Sequence, residues 1–289
     1  MKRLFSATAC LLIFFSFAFL SACARQSERN PAGGKPIIAV SIVPERTFVE
    51  AVCGDLVEVI TMIPPGNSPE NYEPAPELME KFSDAEVYFA IGVPTEQANI
   101  LPSAGDVAVV SLHDEVESIY PERTFAEGER DPHIWLSPKR VKVMIDIIAR
   151  EMAKIDPNNA DTYHLNAKAY IKQLDELDKQ IIDALSGLTV RKFVVYHPAF
   201  GYLADDYGLE MFALEEEGKE ATPQHLQSMI DLAKEENIKI IFYQEEIDSS
   251  QSKAFAEELG GTTVKLAPLA ADYIDNLRRM AEALAEGIQ

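Results

Sequence analysis

Apolar positions fall along this chain in two strand-and-helix patterns separated by a long helical stretch. Four short runs rich in Val, Ile or aromatic residues come first: Pro36–Val43, Leu56–Ile63, Ala85–Ile91 and Val107–Leu112. Most are bounded by Pro or Gly, which is the signature of buried strands. Helical stretches, including Glu45–Val52 and Glu77–Phe82, lie between the first three. Such alternation predicts a mostly parallel sheet covered by helices on both faces. In the middle, Pro138 opens a helix that continues over Arg140–Ala153, and Asp156-Pro157 breaks it. A second helix is predicted from Asn158 to Leu185. Within it Tyr163, Ala167, Tyr170, Leu174, Leu177, Ile181 and Leu185 recur at steps of four and three and so share one face. Ser186-Gly187 ends this helix. At 1.5 Å per residue it is roughly 40 Å long, enough to cross a domain. A coiled-coil arm is the competing reading, with only about four heptads to support it. The second block predicts strands at Phe193–Tyr196, Met211–Leu214, Ile238–Tyr243 and Thr263–Leu266. Its helices are predicted at Phe200–Tyr207, Pro223–Glu236, Ser250–Leu259 and Asp272–Glu286. No sequence repeat relates the blocks. The expected fold is α/β: two lobes, each with a mostly parallel sheet flanked by helices, joined by one long α-helix. The expected boundaries are 36–157 for the N-terminal lobe, 158–187 for the linking helix and 188–289 for the C-terminal lobe.

The N-terminus sets the compartment. Lys2 and Arg3 precede an almost wholly apolar run from Leu4 to Leu20, and polar residues follow Cys23. This is the layout of a secretory signal peptide. A transmembrane anchor is the alternative, but the run is at the short end for spanning a bilayer and stops at small residues. Leu20-Ser21-Ala22-Cys23 looks like a bacterial lipobox, which predicts cleavage after residue 22 and lipid on Cys23. Residues 24 to 35 read as a flexible tether. The expectation is an extracytoplasmic protein held at the membrane by its lipid.

Cysteine usage agrees. Cys10 leaves with the signal and Cys23 carries lipid, so Cys53 alone remains and no internal disulfide is expected. About 255 residues suffice to build one or two apolar cores. The chain has 26 basic and 47 acidic residues, a net charge of −21. Nucleic acid and anionic lipid surfaces are therefore poor partners, while cations are favoured in a general way.

Two of the five histidines stand out. His133 lies in Asp131-Pro132-His133-Ile134-Trp135-Leu136-Ser137-Pro138, stiffened by proline on both sides and just before a helix. His197 lies in Tyr196-His197-Pro198-Ala199-Phe200, at the carboxyl end of a strand, where open α/β sheets bind ligands. One histidine per lobe thus faces an expected cleft, and neutral imidazole is the commonest transition-metal ligand. His113, His164 and His225 read as structural or surface residues. The acidic run Glu215-Glu216-Glu217-Gly218 reads as a lobe-edge loop.

The chain resembles the substrate-binding proteins of zinc and manganese ABC transporters over essentially its whole length after the signal. The resemblance rests on Pro69-Glu70-Asn71-Tyr72-Glu73-Pro74-Ala75-Pro76, on Asp131-Pro132-His133-Ile134-Trp135-Leu136, and on Tyr196-His197-Pro198-Ala199-Phe200-Gly201-Tyr202-Leu203. It implies two α/β lobes on a single-helix hinge, modest closure, and a metal between the lobes. It also implies a permease and an ATPase as partners, with the receptor itself a monomer. His133 and His197 match two of the family's ligands. The first ligand there is commonly a His, where this chain has Glu70, and a carboxylate can replace it. The fourth is often an Asp before Pro-Leu, where this chain has Ala267, which cannot ligate. The acid-rich stretch Gln244-Glu245-Glu246-Ile247-Asp248 offers Glu245 as a substitute, unless it is a solvated loop or water fills the position. Two imidazoles with carboxylates suit manganese or iron and are also accepted by zinc. The stretch Tyr120–Arg130 has no His, unlike the His-rich loop of zinc members, whereas manganese members often carry Glu in place of His197.

The resemblance implies a transport receptor for zinc or manganese. An adhesin-like lipoprotein of the same fold and a receptor for a non-metal solute are the alternatives. A metal-dependent hydrolase is disfavoured, since the chain has no HExxH helix, nucleophile elbow or P-loop, and no enzymatic activity is expected.

Overall fold

The computed structural model describes residues 34–125, 129–215, 221–246 and 250–288. The expected signal segment, the lipidated Cys23 and most of the tether lie outside the described residues. In the first lobe, β1 (Ile37–Val40), β2 (Glu58–Thr61), β3 (Val87–Ala90) and β4 (Ala108–Ser111) form one sheet in the order β2-β1-β3-β4. In the second, β5 (Lys192–Val195), β6 (Glu210–Ala213), β7 (Ile240–Gln244) and β8 (Thr262–Leu266) pair in the order β6-β5-β7-β8. Every pairing within these two sheets is parallel. Counted from its own first strand, each sheet has the order 2-1-3-4. The lobes therefore repeat one topology without a visible repeat of sequence.

The helices are α1 (Val43–Cys53), α2 (Pro76–Phe82), α3 (Leu112–Glu117), α4 (Pro138–Ile155), α5 (Ala160–Leu185), α6 (Gly201–Tyr207), α7 (Pro223–Glu235), α8 (Ser250–Glu258) and α9 (Tyr273–Ile288). The hydrophobic pattern did not anticipate α3. It forms because Leu112 and Val116, one turn apart, are both buried, and because Asp114 and Glu115 lie in its first turn, where the helix dipole favours anions. A π-turn over Glu96–Ile100 was also not anticipated. At α4, Pro138 occupies the first turn and the Ser137 hydroxyl accepts from Arg140 N at 3.2 Å, a strong start signal.

The long α5 has 26 residues, a span of about 39 Å. Its buried face consists of the seven residues whose spacing predicted it. It packs on α4 and α1 of the first lobe and on α9 of the second. Alpha-helix α9 also reaches α1 directly: Tyr273 meets Phe48 edge-on at 4.9 Å between ring centroids. The Thr47 hydroxyl donates to the Ala271 carbonyl at 2.7 Å. One apolar cluster consequently runs from Ile38 and Phe48 through Met144 and Leu174 to Phe193 and Leu277. Smaller clusters cover the other face of each sheet, around Tyr88 and around Ile241. A close-packed core shared by both lobes resists wide opening. Cys53 is buried without a disulfide, and burial pushes its thiol up to about 12, so it is an inert structural thiol. No helix among the described residues is long and apolar enough to cross a membrane.

Candidate metal centre

Three loops at the carboxyl ends of strands and at the start of α4 build the site. His133 follows Asp131-Pro132 and begins a short 3-10 turn, Ile134–Leu136. Asp131 is fully buried. Its Oδ1 accepts the His133 backbone N–H at 3.0 Å and meets His133 Nδ1 at 2.8 Å. One carboxylate thereby fixes both the turn and the ring. His197 lies just beyond β5. Its Nδ1 faces Glu215 Oε2 at 2.7 Å. Glu70 lies on the loop between β2 and α2. That loop is clamped to the first lobe by three bonds: Thr95 N to Pro69 O at 3.1 Å, Tyr72 N to Thr95 Oγ1 at 3.1 Å, and Asn99 Nδ2 to Tyr72 O at 2.7 Å.

These loops bring Glu70, His133 and His197 together, with one ligand-type atom from each lying within 4.8 Å of the others. His133 Nε2 and His197 Nε2 are 3.2 Å apart, and His197 Nε2 is 3.7 Å from Glu70 Oε1. Both imidazoles are almost fully buried, whereas the Glu70 side chain keeps 29% of its exposure. With Asp131 and Glu215 accepting from the two Nδ1–H groups, both Nε2 lone pairs point at the same spot. Facing lone pairs repel unless a proton or a cation lies between them. A tetrahedral ion with bonds near 2.05 Å holds two nitrogens about 3.3 Å apart, so the observed spacing suits one ion. Two imidazoles and a carboxylate make a donor set that accepts zinc, manganese or iron.

Trp135, almost fully buried, packs on His133 with ring centroids 5.1 Å apart and donates to Pro268 O at 3.0 Å. This bond ties the first lobe's site loop to the Ala267-Pro268 turn of the second. Ala267 itself offers only its carbonyl, which accepts from Asn276 Nδ2 at 2.7 Å.

Glu245 is not brought to this cluster. Its Oε1 pairs with Lys265 Nζ at 2.7 Å, with both side chains about half exposed. It borders an inter-lobe groove of about 500 Å³ lined by Ile42, Ile63, Pro64, Glu246 and Leu269, and none of Glu70, His133 or His197 contributes to that lining. Beyond the end of β7 the backbone stays paired on its β8 side, with Glu245 N bonded to Leu266 O at 3.0 Å, and the Glu245 carboxylate meets Lys265 there. Glu215, read from sequence as part of a lobe-edge loop, instead supports His197 and is 12% exposed; residues 216–218 lie outside the described residues. Asp131 likewise carried no assignment of its own.

The remaining histidines are elsewhere. His113 packs beneath Gly92, whose positive φ of 93° and absent Cβ leave room for the ring: a Cβ there would sit 3.1 Å from His113 Cγ. Burial lowers the His113 pKa. His225 Nε2 bonds the Ala213 carbonyl at 3.0 Å, and His164 is exposed on α5.

Comparison with known proteins agrees with this architecture. Residues 38–287 match the family described as zinc-uptake complex component A, periplasmic (ZnuA). The zinc-binding lipoprotein AdcA of Streptococcus pneumoniae (strain ATCC BAA-255 / R6) is 30% identical over 277 residues, covering 90% of this chain and 54% of AdcA. The chain thus spans about half the length of that relative. A putative metal-binding protein of Chlamydia muridarum (strain MoPn / Nigg) is 29% identical over 278 residues, covering 96% of this chain and 98% of its own length. A crystal structure of ZnuA superposes with a TM-score of 0.83 at 36% identity, over 88% of this chain and 100% of that one. With a match across both lobes and the helix between them, the chain belongs to the ZnuA family of zinc-uptake component A proteins.

Proposed function

We propose that this chain is an extracytoplasmic receptor that captures a divalent transition metal between its lobes and hands it to the permease and ATPase of an ABC importer. The observation that carries this reading is the pair of buried Nε2 atoms 3.2 Å apart, each ring backed by a carboxylate, with Glu70 beside them. Glu70, His133 and His197 are the protein ligands, and solvent takes the fourth position that Ala267 cannot fill. Zinc is the first cargo and manganese the second. At a nitrogen-rich site zinc binds more tightly than manganese, and the backing carboxylates raise imidazole basicity. The zinc-binding name of the streptococcal relatives supports the same order. Capture needs a preformed, mostly dry site, and the two buried imidazoles supply it. Release needs an outside force, since the shared core leaves the lobes little freedom of their own.

The anchor belongs to the same proposal. Cys23 carries lipid, residues 24 to 35 act as a tether, and the monomeric receptor stays beside its importer. The Streptococcus pneumoniae relative is named a lipoprotein, which supports this arrangement.

Metal analysis of protein purified without chelator tests the cargo. The wild type is expected to hold about one equivalent of transition metal, as a single cluster of three protein ligands with solvent in the fourth position implies. His133→Ala and His197→Ala are each expected to lose it. Metal content unchanged in both variants would remove the site. For the anchor, Cys23→Ser is expected to move the protein from the membrane fraction to the soluble one.

A further inference from the structure

One guanidinium touches both the support of His133 and the opposite lobe. Arg123 Nε lies 3.2 Å from Asp131 Oδ2, a contact of charges without in-line hydrogen-bond geometry. The other oxygen of Asp131 holds His133. From the same side chain, Nη1 reaches Asp205 Oδ2 on α6 at 2.7 Å. The backbone of Arg123 is held by α6 as well, with its N–H donating to Tyr202 Oη at 3.0 Å.

Gly201, the first residue of α6, supplies the seat. A Cβ at Gly201 would lie 2.1 Å from Arg123 Nε and 2.7 Å from Cδ. The side chain thus occupies a notch that only glycine leaves open. Alpha-helix α6 begins four residues after His197. Arg123 therefore links the carboxylate behind one histidine to the helix that follows the other.

We propose that Arg123 is a positioning residue that couples lobe separation to metal release. While α6 grips it through Asp205, Tyr202 and Gly201, its charge compensates the fully buried Asp131, and Asp131 keeps the His133 ring aimed at the metal. When the lobes part, α6 withdraws from Arg123. The guanidinium leaves Asp131, a buried carboxylate without its cation relaxes, and His133 loses its orientation. No bond to the metal is made by Arg123 itself. This inference rests on the metal-binding reading above.

The test uses zinc and the full mature chain, with affinity and dissociation rate measured against a chromophoric chelator. Arg123→Gln is expected to weaken zinc binding roughly ten- to hundredfold, the usual range for losing an outer-shell partner. Asp205→Asn contacts neither Asp131 nor either histidine, yet is expected to weaken binding about fivefold or more and to speed release. The double variant is expected to be no worse than Arg123→Gln, because Asp205 acts only through Arg123. An exposed surface ion pair with no such role leaves zinc affinity unchanged. Wild-type affinity and release rate in Asp205→Asn, or effects that simply add in the double variant, overturn the proposal. If Arg123→Gln does not fold, as judged by circular dichroism, Asp205→Asn still decides the matter, since its side chain is 54% exposed. Failure of the underlying reading shows differently: wild type then binds no zinc, or His133→Ala and His197→Ala leave zinc binding intact.

Discussion

His197 and Glu215 stand opposite each other two residues beyond the paired ends of β5 and β6. Val195 is the register partner of Ala213, and the ladder continues with Leu214 N to Val195 O and Glu215 N to Tyr196 O, both at 2.9 Å. The next side chains in step are the imidazole and the carboxylate, 2.7 Å apart. Glu215→Ala removes the acceptor that holds Nδ1–H and is expected to cost roughly ten- to hundredfold in zinc affinity. Glu215→Gln keeps an acceptor oxygen but loses the charge, so its loss is expected to be smaller. Competition titration of both variants checks the order; equal affinity in all three proteins would mean that Glu215 does not orient the ring.

That register explains what the sequence made legible and what it hid. The strand ranges Phe193–Tyr196 and Met211–Leu214 are offset by 18 residues, as are His197 and Glu215, so the pairing was available once β5 and β6 were taken as neighbours. Nothing local marks Glu215 apart from the acids that follow it, and strand order is a tertiary property. The buried face of α5 was legible because seven apolar residues follow a single helical period. Helix α3 was hidden because two buried residues one turn apart are too few to set a period. Glu245 drew attention as an acid after a strand end, but β7 has β8 at its far side, and there Lys265 meets the carboxylate.

Glu70 takes a place where the resembling family commonly has histidine. A carboxylate there makes the donor set harder, which favours manganese relative to a three-imidazole set. Glu70→His is therefore expected to raise the ratio of zinc to manganese affinity, and Glu70→Ala to weaken both metals. Parallel titrations with the two ions measure the ratio. No change in the ratio for Glu70→His would place Glu70 outside the ligand set.

Arg140 and Asp206 form a second link between the lobes. Arg140 Nη1 lies 3.0 and 2.9 Å from the two carboxylate oxygens, and both side chains are nearly buried. The guanidinium also stacks on Tyr202 at 4.4 Å. Arg140→Met strands a buried carboxylate that retains only the Ser137 hydroxyl among these partners. A loss of about 3 kcal/mol is expected in denaturant unfolding. Adding Asp206→Leu is expected to recover most of it, since an apolar pair of similar volume replaces the charges. A double variant as unstable as the single one would show that packing, not the stranded charge, sets the cost.

Glu45 and Glu96 give the first lobe a pH response of their own. Both are almost fully buried at the carboxyl ends of β1 and β3. Glu45 Oε2 accepts from Ser41 N at 2.9 Å and Ile42 N at 3.1 Å, and Glu96 accepts from Ile91 N at 2.8 Å and Gly92 N at 2.9 Å. Burial raises the pKa of each, and the charge of Glu96 raises that of Glu45 further. In the unfolded chain both are ordinary carboxyls near 4.5. Between that value and the raised folded values, the folded state binds more protons than the unfolded one. The pair's contribution to stability is thus complete below the unfolded value and is lost as pH rises through the folded ones. Glu45→Gln removes one titrating group and its repulsion with Glu96. Calorimetric melting of metal-free protein from about pH 5 to about pH 8 is expected to show a shallower fall in Tm for the variant than for wild type. Groups that titrate equally in both proteins cancel in that difference. Melting curves that stay parallel across the range would assign the pH response to other groups.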